Sequence, residues 1–198
     1  MIAVLPVCVE TASAQLFARK DFQGRKDRKE YLQGAVPQAN GKVVFTKEFA
    51  TAKNAYDALR QWAGLRYMPN TQQGTWLDAN YFNNGDFALA ETPDKNTIVC
   101  TGDEELVFTN KALARDASRV NYKLTLSITD TKVVATMTDI AYTYNLTDVP
   151  ERIPAEDWIV DSEAFSKKGD LLRRVAKFRI KTIDLVDELF AEIESNVK

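Results

Sequence analysis

No histidine occurs among the 198 residues, and only two cysteines do, Cys8 and Cys100. The first absence removes Ser-His-Asp and Cys-His nucleophilic machinery, imidazole metal ligands and the side chain that most often moves protons near neutral pH. The second leaves no CxxC pair and no disulfide framework. Glycine is sparse, at 8 residues, and scattered. No P-loop or GxGxxG fingerprint is present, and no Gly-x-Ser-x-Gly elbow or RNP-type aromatic motif. Lys and Arg number 26 against 28 Asp and Glu, a net charge of -2. That balance gives no surplus of cations for neutralising phosphates, so it does not point to nucleic acid. No apolar run is long enough to cross a bilayer as a helix. The expectation is a chain with no catalytic residues, no metal ligands and no cofactor.

What is present suits one folded domain with a short N-terminal addition. The chain is 45% hydrophobic and 27% charged, ordinary for a soluble domain. A domain of this size buries about 70% of its unfolded surface, enough for a core without disulfide or metal. Ile2 to Val9 form a short apolar run, followed by Thr11-Ala12-Ser13-Ala14-Gln15. Ala12-x-Ala14 fits a signal-peptidase site. No Lys or Arg precedes the run, and Glu10 follows it, so residues 1–14 read as a truncated signal peptide. In-frame Lys or Arg codons upstream of Met1 are expected. A buried first strand is the competing reading. Leu5-Pro6-Val7-Cys8 departs from a lipobox, because valine precedes the cysteine. The signal reading makes the protein periplasmic or secreted and leaves Cys100 as the mature cysteine, a small core hydrophobe in a β-like run.

Residues 15–40 mix Arg19, Lys20, Arg25, Lys26, Arg28 and Lys29 with Asp21, Asp27 and Glu30, without periodicity, and read as a flexible leader. Residues 41–195 read as a single α+β domain. After the Asn40-Gly41 turn signal, Lys42 to Phe49 is a strand with Val43, Phe45 and Phe49 on one face. Thr51 is a candidate cap for a helix carrying Tyr56, Leu59, Trp62, Ala63, Leu65 and Tyr67. Pro69 to Gly85 reads as a loop that carries Trp76, Tyr81 and Phe82. Phe87–Glu91 and Thr97–Thr101 form a hairpin around Thr92-Pro93-Asp94-Lys95-Asn96. Gly102-Asp103-Glu104-Glu105 interrupts as a solvated turn. The clearest strand is Val120 to Thr129, where Val120, Tyr122, Leu124, Leu126 and Ile128 alternate with polar residues. Lys132 to Tyr144 returns antiparallel to it. Ala155 to Ile159 make a helical turn and Ser162 to Lys168 a short helix ending at Gly169. Asp170 caps a long helix to about Ser195, with Leu172, Val175, Ile183, Val186, Phe190 and Ile193 as its stripe. Strands grouped between helices argue α+β.

Several of these segments form a recognisable series. It runs Lys42-Val43-Val44-Phe45, Tyr56-Asp57 with Trp62, Val120-Asn121-Tyr122 and Ile140-Ala141-Tyr142 with Tyr144. It ends with Ala155-Glu156-Asp157-Trp158-Ile159 and Lys177-Phe178-Arg179 with Lys181-Thr182-Ile183-Asp184. Over residues 40 to 190 the chain resembles a family of exported bacterial domains of unknown function with a TBP-like fold, common in gut anaerobes. The resemblance implies a curved antiparallel sheet packed against two helices. It implies no activity, and a TBP-like shape by itself does not license DNA binding.

Carboxylates are the only catalytic vocabulary left. Glu156-Asp157 beside Trp158 is the best local pair for a glycan hydrolase, which needs two carboxyls across a cleft and gains from an aromatic platform. The competing reading gives the acids to the start of a helical turn, where they favour its dipole, and Trp158 to the core. Arg173, Arg174, Lys177, Arg179 and Lys181 are interleaved with the apolar stripe, and most of them read as facing solvent or paired with acids such as Asp184 and Asp187. Three functions follow: an exported binding or interaction domain for a small apolar or glycan ligand or an envelope protein; a carboxylate-based glycan hydrolase; or a structural subunit that presents Trp76, Tyr81 and Phe82.

Overall fold

The alternation that marks Val120 to Ile128 organises the sheet. In a computed structural model, which describes residues 32–51, 53–67, 89–91, 96–111, 114–144 and 151–198, the short strands Gln38–Ala39 (β1) and Lys42–Val43 (β2) pair with each other. They precede Phe45–Ala50 (β3), helix Tyr56–Tyr67 (α1) and strands Leu89–Glu91 (β4), Thr97–Lys111 (β5), Ala114–Ile128 (β6) and Lys132–Tyr144 (β7). Glu151–Pro154 (β8), a 3₁₀ turn at Ala155–Asp157, helix Asp161–Ala164 (α2) and helix Arg173–Val197 (α3) complete the chain. The sheet order is β3-β7-β6-β5-β4, with β8 also on β7, and every pairing is antiparallel.

Val120, Tyr122, Leu124, Leu126 and Ile128 are all buried, with Lys123 and Ser127 exposed on the opposite face. β7 follows the same rule through Val133, Ala135 and Met137, and then its phase changes. Asp139 adopts a left-handed φ of 54°, and the pairing shifts by one residue between Asn121 and Lys123. This bulge lets Ile140 and Tyr142 point inward where a continuous ladder would turn them out. β5 holds a correction. Its 15 residues run through Gly102-Asp103-Glu104-Glu105 without a break, so the expected solvated turn is strand. Asp103 and Glu105 face solvent, paired with Arg119 and Arg115, while Glu104 shares the inward parity of Ile98, Cys100 and Leu106.

α1 and α3 pack on each other and on one face of the sheet. This is the α+β architecture the sequence implied. α3 buries Val175, Phe178, Ile183, Val186, Leu189, Phe190 and Ile193, at roughly 1.5–3 kcal/mol for each large apolar side chain. Packing outweighs capping here. The N-cap of α3 is Leu172 and makes no side-chain cap bond, so Asp170 does not cap it. At α1, Asn54 Oδ1 accepts the Tyr56 N–H at 2.8 Å. Thr51 turns instead to the carbonyls of Lys53 and Val197.

Residues 32–39, read from sequence as the end of a flexible leader, are docked. Val36 is buried. The Gly34 N–H donates to Asp161 Oδ2 at 2.6 Å, and Arg179 donates to the Leu32 carbonyl at 2.7 Å. Val44 N–H donates to the Pro37 carbonyl at 3.1 Å. Residues 33–37 therefore form a strap across the end of the sheet. The signal-peptide reading of residues 1–14, the aromatics Trp76, Tyr81 and Phe82, and the turn at 92–95 lie outside the described residues.

Candidate functional site

The strap, β3 and α3 enclose an open groove of about 580 Å³, within the size range of small-ligand and peptide sites. Each wall comes from a different part of the chain. Gln33, Gly34, Ala35 and Pro37 form one side, Phe45 and Thr46 the second, and Ile183, Val186, Asp187 and Phe190 the third. The α3 residues share a face because their spacings of three and four follow the helical repeat. Phe190 is held from below by Phe49, with ring centroids 6.1 Å apart at 76°. The groove thus has an apolar floor, an amide and a hydroxyl at its mouth, and one carboxylate, Asp187. It can hold a chain or small molecule by apolar contact and a few hydrogen bonds, and it contains no pair of opposed carboxyls for acid–base work.

The residues singled out from sequence lie elsewhere and have structural tasks. Glu156 Oε1 accepts the Val43 N–H at 2.9 Å, fixing β2 to the 3₁₀ turn. Asp157 is exposed beside it. Trp158 is 6% exposed, with Phe178 at 4.4 Å between ring centroids and Tyr142 nearly parallel at 6.2 Å. No face of that indole is left for a sugar. The cations of α3 divide. Arg173 and Arg174 are exposed and Lys181 is half-buried. Lys177 lies against Asp116 at 2.7 Å and 4.4 Å from the centre of the Tyr144 ring. Its pKa is raised because the hydrogen bonds to Asp116 and Tyr144 outweigh the lowering by burial. Arg179 is wholly buried and pairs with Asp161 at 2.8 Å. Burial lowers its pKa against the opposing pull of Asp161. Lys177 and Arg179 are thus paired with acids, as expected, but the acids are Asp116 and Asp161, from other elements, and Arg179 is buried in the core.

A second polar cluster was not anticipated. Arg66 Nη2 meets both oxygens of Glu104 at 3.0 and 3.1 Å, and Arg66 Nη1 meets Glu192 at 2.9 Å. Trp62 Nε1 donates to Glu192 at 2.8 Å. The Tyr122 hydroxyl donates to Glu104 and lies 3.0 Å from the Tyr67 hydroxyl. Burial would lower the Arg66 pKa, but the two carboxylates raise it. Burial raises those of Tyr67 and Tyr122, keeping both phenols neutral. The cluster ties α1 to β5, β6 and α3 as a structural clamp, in which the buried Arg66 Nε alone lacks a hydrogen-bond partner among the described residues. The inward parity of Ile98, Cys100, Gly102 and Glu104 was the sequence signal for it.

Cys100 is fully buried in the same layer, and burial pushes its thiol pKa far up. Because the thiolate is the reactive form, a Cys8→Ser variant is expected to show no reaction with Ellman's reagent at pH 8 when native. It should release one equivalent of thiolate in urea. Rapid native reaction would contradict this burial.

Among the described residues there is no cluster of three metal-ligating side chains, and no helix is long and apolar enough to cross a membrane. A family model, described as a domain of unknown function (DUF4468) with TBP-like fold, matches residues 42–143. The chain belongs to this family. A crystal structure of a DUF4468 family protein from Bacteroides ovatus is 32% identical, with a TM-score of 0.71 over 86% of this chain and 95% of that one. A TBP-like protein from Parabacteroides distasonis shares the fold at 22% identity, with a TM-score of 0.60 over 82% and 96% of the two chains. No curated protein matches. DUF4468 membership fixes the TBP-like architecture and assigns no activity. The groove is therefore argued from this chain's own residues.

Proposed function

We propose that this DUF4468 protein is an exported, non-enzymatic binding domain acting in the periplasm or outside the cell, and that its ligand or partner seats in the groove between the strap, β3 and α3. The observation that carries the reading is the groove itself, a concave, mainly apolar site with few polar groups. Nearby carboxylates support it by being occupied. Glu156 holds the Val43 N–H, Glu104 and Glu192 hold Arg66, and Asp161 holds Arg179. The hydrolase reading loses its best pair for the same reason. The export part of the proposal rests on Ala12-x-Ala14 after the apolar run.

Native mass spectrometry of protein purified from its host's envelope fraction tests both parts. The expected spectrum begins at Gln15 and carries an added mass or a co-isolated partner. Thr46→Trp, which fills the groove mouth, should remove that addition. A wild-type chain that is always bare, or a variant that keeps the added mass, would remove the groove from the proposal. A mature mass that retains Met1 would remove export.

A further inference from the structure

The chain reverses between α2 and α3 in a short turn fixed by its backbone. Phe165 stands opposite Leu171. The Ser166 N–H donates to the Asp170 carbonyl at 2.8 Å, and the Gly169 N–H to the Ser166 carbonyl at 2.9 Å. Ser166 Oγ accepts the N–H groups of Lys168 and Asp170, both at 3.2 Å. Gly169 takes a φ of 80°, which glycine adopts without strain. The Leu172 N–H then donates to the Ala164 carbonyl at 2.7 Å. This frame sets Lys167 and Lys168 on the tip of the turn and Arg173 and Arg174 on the first turn of α3, all four exposed. Elsewhere the exposed cations Lys47, Arg115, Arg119 and Lys132 each hold a carboxylate. These four hold none among the described residues. Residues 165–174 contain one acid, Asp170, and its carboxylate holds no described cation. The placement also opposes the helix. Acids stabilise a helix N-terminus and cations do not, yet the 25-residue α3 has no acid in its first turn and no side-chain cap.

We propose that this turn and the start of α3 form a peripheral docking surface for an anionic lipid bilayer. The charge of the patch selects an anion, and its shape and order select a membrane. None of the four cations lines the groove. They stand on a turn whose residues 167–170 are all exposed, so they meet a plane and do not enclose a small ion. The net charge of -2 repels a polyanion that would wrap the molecule, whereas a planar surface meets this one face. The order Lys167-Lys168-Gly169-Asp170-Leu171-Leu172-Arg173-Arg174 sets an apolar pair between two cationic pairs. Leu171 and Leu172 rest against the core and are only half-buried. Apolar side chains flanked by Lys and Arg suit the boundary of headgroups and acyl chains, where long cationic side chains reach the phosphates. Each cation near an anionic membrane adds about fivefold to binding. Four cations against one acid give roughly a hundredfold preference over a neutral surface, which is a reversible attachment. It is independent of the groove, whose walls lie on other residues.

The test is flotation of the full chain with vesicles of equal parts phosphatidylglycerol and phosphatidylcholine, and with vesicles of phosphatidylcholine alone. Partition into the anionic vesicles should be about a hundredfold the stronger and should fall as added salt screens the charges. Lys167→Gln combined with Lys168→Gln should weaken it by about 25-fold. Lys123→Gln, at an exposed cation on the open sheet face, should leave it unchanged. Asp170→Asn keeps both backbone hydrogen bonds of the turn and removes its acid, so it should strengthen binding by about fivefold. A gain of that kind does not arise from a damaged fold. Equal uptake by the two kinds of vesicle, or undiminished binding by the double glutamine variant, would overturn the docking surface. Displacement from the vesicles by soluble glycerol phosphate at matched ionic strength would mean a pocket for one phosphate and overturn it too. Retention on polyglutamate without flotation would mean an acidic protein partner in place of the membrane.

Discussion

Arg179→Ala is expected to cost about 4 kcal/mol of folding stability, because the substitution removes one member of a buried ion pair and leaves its hydrogen-bond partners unmet. Arg179 donates to the Ile159 and Leu32 carbonyls and pairs with Asp161, and its guanidinium lies 4.9 Å from the centre of the Phe165 ring. A loss of that size is a large share of the 5–15 kcal/mol typical of a domain. Asp161 is 38% exposed in its side chain, so Asp161→Asn should cost less, about 2 kcal/mol, since water screens part of that pair. The double variant should cost little more than Arg179→Ala alone, because both residues belong to one network. Urea unfolding at unchanged m-value measures all three. The same variant has a local readout. Asp161 also accepts the Gly34 N–H, and Arg179 holds Leu32, so the strap should detach before the sheet does. Amide exchange at Gly34 and Val44 should rise towards unprotected rates while Leu124 and Leu126 in β6 stay protected. A cost below 1 kcal/mol, or full additivity with Asp161→Asn, would show that Arg179 is not the anchor of the strap.

The position of Arg179 shows what the sequence permitted and what was missed. Val175, Arg179, Thr182, Ile183 and Val186 fall at spacings of three and four, on one helical stripe. Arg179 therefore sits on the buried face by period alone. Residue type alone groups it with Lys177 and Lys181 as a cation that faces solvent or pairs with an acid; its helical phase places it inside. The same holds for Glu104, an acid by type whose even-numbered parity with Ile98, Cys100 and Leu106 places it inward. β6, β7 and the α3 stripe were legible because each depends on a pattern inside one segment. The bulge at Asp139 was not, since an aspartate in a left-handed conformation leaves no mark on the alternation before it. The groove was illegible for a stronger reason. Its walls come from residues 33–37, 45–46 and 183–190, and nothing in any one of these says that the other two lie beside it.

Gly102→Val is expected to destabilise the domain by about 3 kcal/mol, at the upper end for overpacking. Gly102 stands directly opposite Tyr122 on the neighbouring strand. A Cβ at residue 102 would fall well inside contact distance of Cζ and Cε1 of the Tyr122 ring. Tyr122 is 1% exposed, so its ring has no solvent-side rotamer to retreat to without leaving the core. The ring therefore covers the glycine backbone, and the missing side chain is what admits it. Displacing the ring also parts the Tyr122 hydroxyl from Glu104 and Tyr67, and Glu104 is the carboxylate that fixes Arg66 of α1. The clamp between α1 and the sheet should loosen together with the packing. Tyr122→Ala alone is expected to cost about 4 kcal/mol, as for other large buried aromatics. In the double variant, valine occupies part of the space the ring vacates. Its cost should therefore fall about 2 kcal/mol below the sum of the single variants. Two simply additive losses would mean that Gly102 serves the turn of the strand and not the passage of the ring. A Gly102→Val protein as stable as wild type would mean that Tyr122 has another place to go, and the clamp on α1 would then not depend on this pair.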